Sequence, residues 1–209
     1  MITYPLQLPS QNIRRVRMIM EKVSSVAQSP FTLQEQVQEW IGGERWVAEL
    51  ELPPIRSRAT AEAWLTFLGS LRGLVGTFEM GDPLGGTPRG SVLGTPVVDG
   101  IESAQSKTLD TTGWDINETG VLLKGDYVQL TVGGKKYLHK VLTDTDSDGS
   151  GDATIDVWPV TRVSVPDTTS VVTSSCKGTF RLMDTVQGWD ADYLRLYGVA
   201  FKAVEAVGP

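Results

Sequence analysis

The sequence predicts a mainly β protein, a β-rich α+β fold in which one helix packs on a sheet, and three observations carry that reading. Apolar residues at helical spacing occur in only one convincing stretch, residues 59–83. Elsewhere, short alternating runs are separated by Gly, Asp, Ser and Thr, the residues of turns and hairpins. Apolar residues make up 40% of the chain and charged ones 21%, so a packed core is expected rather than disorder. With 209 residues there is room for one large domain or two small ones.

Taken in order, residues 16–26 read as a strand, with Val16, Met18 and Met20 alternating against Arg15, Arg17 and Ile19. Residues 34–40 are rich in Gln and Glu and admit a helix. A strand leading into a Gly42-Gly43 hairpin turn is preferred, because Gly-Gly lies between apolar runs. Residues 46–52 alternate cleanly: Trp46, Ala48, Leu50 and Leu52 face one way, and Val47, Glu49 and Glu51 the other, up to Pro53-Pro54. In the helix, Ala61, Trp64, Leu65, Leu68 and Leu71 share one face. Thr60 is the expected N-cap, Glu62 falls in the first turn, Arg72 in the last, and Gly73 follows as the stop. With no second helix to cover that face, a sheet must do so. A strand at 74–80 and a turn at Gly81-Asp82-Pro83 complete the segment.

Up to Gly86 the acids are glutamates apart from Asp82; from Thr87 to Leu182 they are mostly aspartates, which belong to turns. The junction GDPLGGTPRGSVLGTP reads as an irregular connection between domains. Short strands are expected after it at 121–123 and 127–132 around Lys124-Gly125-Asp126, then at 137–142 after a Gly133-Gly134 turn. A loop at 144–152 and strands at 154–158, 170–173 and 179–183 follow, the pattern of a small β-barrel or sandwich. Residues 193–207 are again strand-like, and Glu205 restores the early glutamate usage. The predicted organisation is a discontinuous belt-like β domain, 1–86 plus 184–209, carrying the helix and an inserted β-barrel or β-sandwich at 87–183.

The functional inventory is sparse. A net charge of −6 without a basic cluster argues against nucleic acid. The N-terminus lacks the charged and apolar regions of a secretion signal, and no apolar run is long enough for a membrane span. The single Cys176 cannot form an internal disulfide, so the chain reads as a soluble protein made in the cytoplasm. Asp144, Asp146, Asp148 and Asp152, with Gly149, match the first nine positions of a calcium loop, but Ile155 stands where a bidentate carboxylate belongs. A solvated hairpin loop is the favoured reading, with weak calcium binding as the alternative. His139 is the sole histidine, and neither a nucleophile elbow nor a phosphate loop is present. One His and one Cys make a zinc site improbable, and nothing singles out a carboxylate pair for glycoside hydrolysis. Asn117-Glu118-Thr119 matches a glycosylation sequon by chance. No catalytic, cofactor-binding or metal residue is therefore assigned. Of the six tryptophans most are expected in the core, although Trp114 or Trp158, exposed in the inserted part, would suit a sugar ring.

Ser29-Pro30-Phe31-Thr32, residues 46–54, Ala61-Glu62-Ala63-Trp64 with Leu71-Arg72-Gly73, and Gly76-Thr77-Phe78 with Gly81-Asp82-Pro83 form an ordered set. Gly125-Asp126-Tyr127, residues 138–141 and residues 197–201 continue it. Together they resemble the distal tail proteins of long-tailed (siphovirus-type) bacteriophages, across most of the chain. The resemblance implies a structural virion protein of the tail tip or baseplate and no enzyme. Its belt domain would form a homohexameric ring between the tail tube protein and the tail-tip hub protein, assembled in the host cytoplasm. The inserted part is short for that family, which counts against a carbohydrate-binding role for it; a tail-associated carbohydrate- or receptor-binding β module is the alternative reading. Independently of the family, a ring needs a heterologous interface, and the strands around 16–26 and 37–46 offer the edges for one.

Overall fold

The computed structural model describes residues 2–9, 13–191 and 196–207. Among these described residues it is mainly β, with two sheets and one helix. The first sheet contains β1 (Leu6–Gln7), β2 (Arg15–Gln28), β3 (Glu35–Glu51), β4 (Thr77–Met80), β10 (Gly178–Leu182) and β12 (Tyr197–Glu205), with β11 (Trp189–Ala191) paired to β12. The order is β1-β4-β10-β12-β3-β2, which leaves β2 at one edge. The second sheet contains β5 (Gly94–Val98), β6 (Thr108–Trp114), β7 (Tyr127–Val132), β8 (Lys135–Val141) and β9 (Ala153–Trp158), ordered β5-β6-β9-β8-β7 and curled into a half-barrel.

Helix α1 (Arg58–Ser70) lies on the first sheet as its apolar spacing requires. Ala61, Trp64, Phe67, Leu68 and Leu71 are buried, and Leu65 is half-buried at the margin of the core. The Phe67 ring centroid lies 5.4 Å from that of Phe78 and 6.5 Å from that of Phe201, so one aromatic layer joins helix and sheet. The helix starts earlier than expected. Ser57, not Thr60, is the N-cap and accepts from the Thr60 N–H at 3.4 Å. Glu62 pairs with Arg58 one turn back, at 3.4 Å, instead of serving the helix end. Arg72 and Gly73, both with positive φ, lie beyond the Leu71 C-cap and turn the chain out of the helix.

Several expected strands are corrected. Gly42-Gly43 is no hairpin turn: both residues lie inside β3, which runs unbroken from Glu35 to Glu51. The β2–β3 turn falls at residues 29–34, where the Ser29 N–H donates to Gln34 O at 2.9 Å. Ser29 Oγ accepts from the Phe31 and Thr32 amides, and Pro30 sets the bend, chemistry stronger than the Gly-Gly signal. Segments 121–123 and 170–173 form isolated bridges, Leu122 to Thr145, Ser170 to Val97 and Val172 to Gln129, rather than strands. Strand 74–80 begins only at Thr77, because Leu74 and Val75 still belong to the turn that leaves the helix. The Gly133-Gly134 turn does join β7 and β8, with both glycines at positive φ as a tight hairpin demands.

The chain leaves the first sheet after β4 and rejoins it at β10, ahead of the expected boundary at 184. β10 pairs with β4 on one side and β12 on the other. β12 also pairs with β3, so the C-terminal segment closes the sheet as its composition foretold; residues 193–195 lie outside the described residues.

Candidate assembly interface

The feature that stands apart is the distal half of the β2–β3 hairpin. From Lys22 to Ile41 every residue except Ser29 is exposed, so among the described residues no core lies against either face of this two-stranded arm. The ladder nevertheless continues, pairing Ser24 with Glu39, Val26 with Val37 and Gln28 with Glu35. Val26 and Val37 stand opposite each other at 57% and 64% exposure, and Phe31 at the tip is 94% exposed. Between Val23 and Ile41 the only charged residues are Glu35 and Glu39. A lone hairpin in water is marginally stable, and exposed apolar surface of this kind marks an interaction site. The Ser29-Pro30-Phe31-Thr32 motif is thus the arm's tip.

At the arm's root the ladder slips. Lys22 pairs with Glu44 and Ser24 with Glu39, leaving Val23 to face residues 40–43. Gly42 takes φ +88°, and a Cβ on Gly43 would lie 3.1 Å from that of Val23, so this bulge is where the two glycines are needed. Lys22 bridges Glu39 at 2.6 Å and Glu44 at 3.2 Å. These hydrogen bonds hold the Lys22 ammonium above its ordinary pKa, while Lys22 and Lys107 hold Glu39 below its own.

Beneath the root lies the seam between the two sheets. Trp46 donates from Nε1 to Leu138 O at 2.8 Å, and its ring meets Trp158 edge-on at 4.6 Å. Arg162 and Glu205, whose side chains are 3% and 2% exposed, pair at 3.0 Å. Burial pushes the Glu205 carboxyl up, against the opposing pull of Arg162 and the Trp46 N–H. A second ionic contact crosses the seam where Lys136 reaches Glu79 at 2.7 Å. Burial drives Glu79 upward, but hydrogen bonds from Lys136 and Gln7 outweigh it and hold the carboxyl below its usual range.

The remaining candidates resolve into structural roles. Asp144 accepts from the Lys124 amide at 2.8 Å, Asp146 from Gly120 at 2.7 Å, and Asp148 from Ser150 and Asp152 at 2.8 and 3.0 Å. Three carboxylates of the aspartate loop are thereby turned to separate backbone amides. Among the described residues no three His, Cys, Asp or Glu side chains converge as metal ligands. His139 is fully buried, with Nδ1 2.7 Å from Pro159 O. Cys176 is buried as well, its thiol pushed up to about 12 by burial. Trp114 is buried and donates to Thr111 Oγ1 at 2.9 Å, and Trp158 is engaged by Trp46, so neither presents the free ring expected for a sugar platform.

Sequence reasoning marked the edges of this hairpin but missed its exposed length and the Arg162–Glu205 pair beneath it. The absence of any charge from Val23 to Gln34 was the available sign of the first. Only the fold brings Arg162 and Glu205 together. No protein-family model and no characterised protein matches this sequence.

Proposed function

We propose that this chain is a structural ring subunit of a phage tail tip, of the distal tail type, with the 23–41 arm as its means of self-association. The observation that carries the reading is a hairpin whose apolar side chains have no cover among the described residues. A neighbouring copy in a heterologous arrangement would cover the arm and present its own arm to the next. Repetition of that contact closes a ring when the rotation allows. The homohexamer and the contacts to tail tube protein and hub protein rest on the family resemblance. The alternative of a glycan-binding module loses support, because the two tryptophans proposed for it are committed to packing.

Light scattering on the purified chain tests the reading. The expected result is association that grows with concentration, abolished by Phe31→Ser with Val37→Ser, while circular dichroism of the double variant stays unchanged. A wild-type chain that remains monomeric at high concentration, alone and mixed with tail tube and hub proteins, refutes it.

A further inference from the structure

We infer that the inserted half-barrel sets the direction in which the arm leaves the body, with Arg162, Gln105 and Lys107 acting as positioning residues on the bulge at the arm's root. The consequence for assembly rests on the function proposed above; the lock itself does not.

The bulge is the natural pivot of the arm. Its ladder is interrupted between Lys22 and Ser24, and a mismatch of this kind bends the strand that carries the extra residues. Gly42 and Gly43 place the least restricted backbone at that point. A hairpin uncovered beyond it would swing there.

Two loops of the inserted part close on the pivot. Arg162 Nη1 donates to Gly42 O at 3.1 Å, and Nη2 donates to Glu44 O and to Glu205 Oε2, the latter at 3.0 Å. The Val160 amide donates to Glu44 Oε2 at 3.0 Å. From the other loop, Lys107 reaches Glu39 at 3.4 Å on the arm itself, and the Gln105 side chain lies 3.4 Å from where a Gly42 Cβ would stand. The two loops are tied to each other, Gln105 N–H to Thr161 O at 2.8 Å and Ser106 N–H to Thr161 Oγ1 at 2.9 Å.

The choice of a charge here points the same way. A buried ion pair is a poor source of stability, since apolar side chains of equal volume often do as well or better. A planar guanidinium instead holds several acceptors in fixed directions. Arg162 holds the carbonyl oxygens on either side of Gly43 and anchors them to β12 through Glu205.

Pulsed electron resonance between nitroxides at Thr32→Cys and Thr66→Cys reads the arm's direction, with labelled chain diluted in unlabelled chain to suppress distances between copies. Cys176 is buried and stays in place. The native chain is expected to give one narrow distance peak. Arg162→Met with Glu205→Gln removes the guanidinium without stranding a carboxylate, and should abolish that peak in favour of a broad distribution. Gln105→Gly with Lys107→Ala alters two exposed positions, the first already at φ +68°, and decides the matter if the buried pair variant does not fold. An unchanged narrow peak in whichever of these variants folds overturns the inference. A broadened arm with undiminished association upholds the lock and severs its link to assembly. A monomeric native chain with a narrow peak that broadens in the variants refutes the assembly reading alone.

Discussion

Acidification should weaken the fold through His139. Nδ1 lies 2.7 Å from Pro159 O, and a carbonyl only accepts, so the proton sits on Nδ1. Nε2 is buried and has no hydrogen-bond partner among the described residues. Burial pulls the imidazole from 6.5 down to about 4; the Pro159 bond opposes this, and nearby Arg162 adds to it. Between those two values the unfolded chain carries the proton and the folded one does not, so stability falls as pH falls. The contribution is fully present above pH 6.5 and is lost as pH drops through about 4. At about 1.4 kcal/mol per pH unit, the difference amounts to about 3 kcal/mol. Glu205 works in the opposite sense: its raised pKa makes the folded state the tighter proton binder, so its penalty eases on acidification. The His139 part is isolated by comparison with His139→Asn, whose amide N–H can reach the same carbonyl. Urea denaturation of both proteins at about pH 7 and about pH 4 should show the native chain losing about 3 kcal/mol more than the variant. Equal losses would mean that His139 does not stay neutral in the fold, and would refute the reasoning.

Trp64→Ala should cost about 3–5 kcal/mol in denaturant unfolding, while Trp64→Phe should cost clearly less, because the buried Nε1 makes no hydrogen bond to any described residue that could be lost. Thermal unfolding should report a loss of about 1 kcal/mol for Ser57→Ala and no more than about 0.5 kcal/mol for Thr60→Ala, the reverse of what Thr60 as N-cap would give. Millimolar calcium should leave the melting temperature unchanged, since three loop aspartates already serve backbone amides; a rise that disappears in Asp146→Asn would contradict that geometry.

How much was legible depended on the range of the interactions concerned. The helix face, the alternation around Trp46 and the Gly133-Gly134 hairpin follow from local periodicity and turn chemistry, and each is found in place. The Gly42-Gly43 dipeptide shows where local rules stop. Glycine is favoured equally by a tight turn and by a bulge, and only the register against β2 decides between them. The aspartate loop is similar: its spacing suits a cation, but its carboxylates bond amides at Gly120 and Lys124, distant in sequence.

Composition and periodicity were thus enough for a mainly β chain with one helix on a sheet, because both properties are set within a few residues. The seam was beyond their reach. Arg162 and Glu205 lie far apart in sequence, and neither carries a local mark of its partner. Whether a hairpin's apolar residues enter a core or remain uncovered depends on which elements pack beside it. For residues 23–41 that is a property of the tertiary structure, which places β2 at the sheet edge and, among the described residues, leaves the arm's side chains exposed.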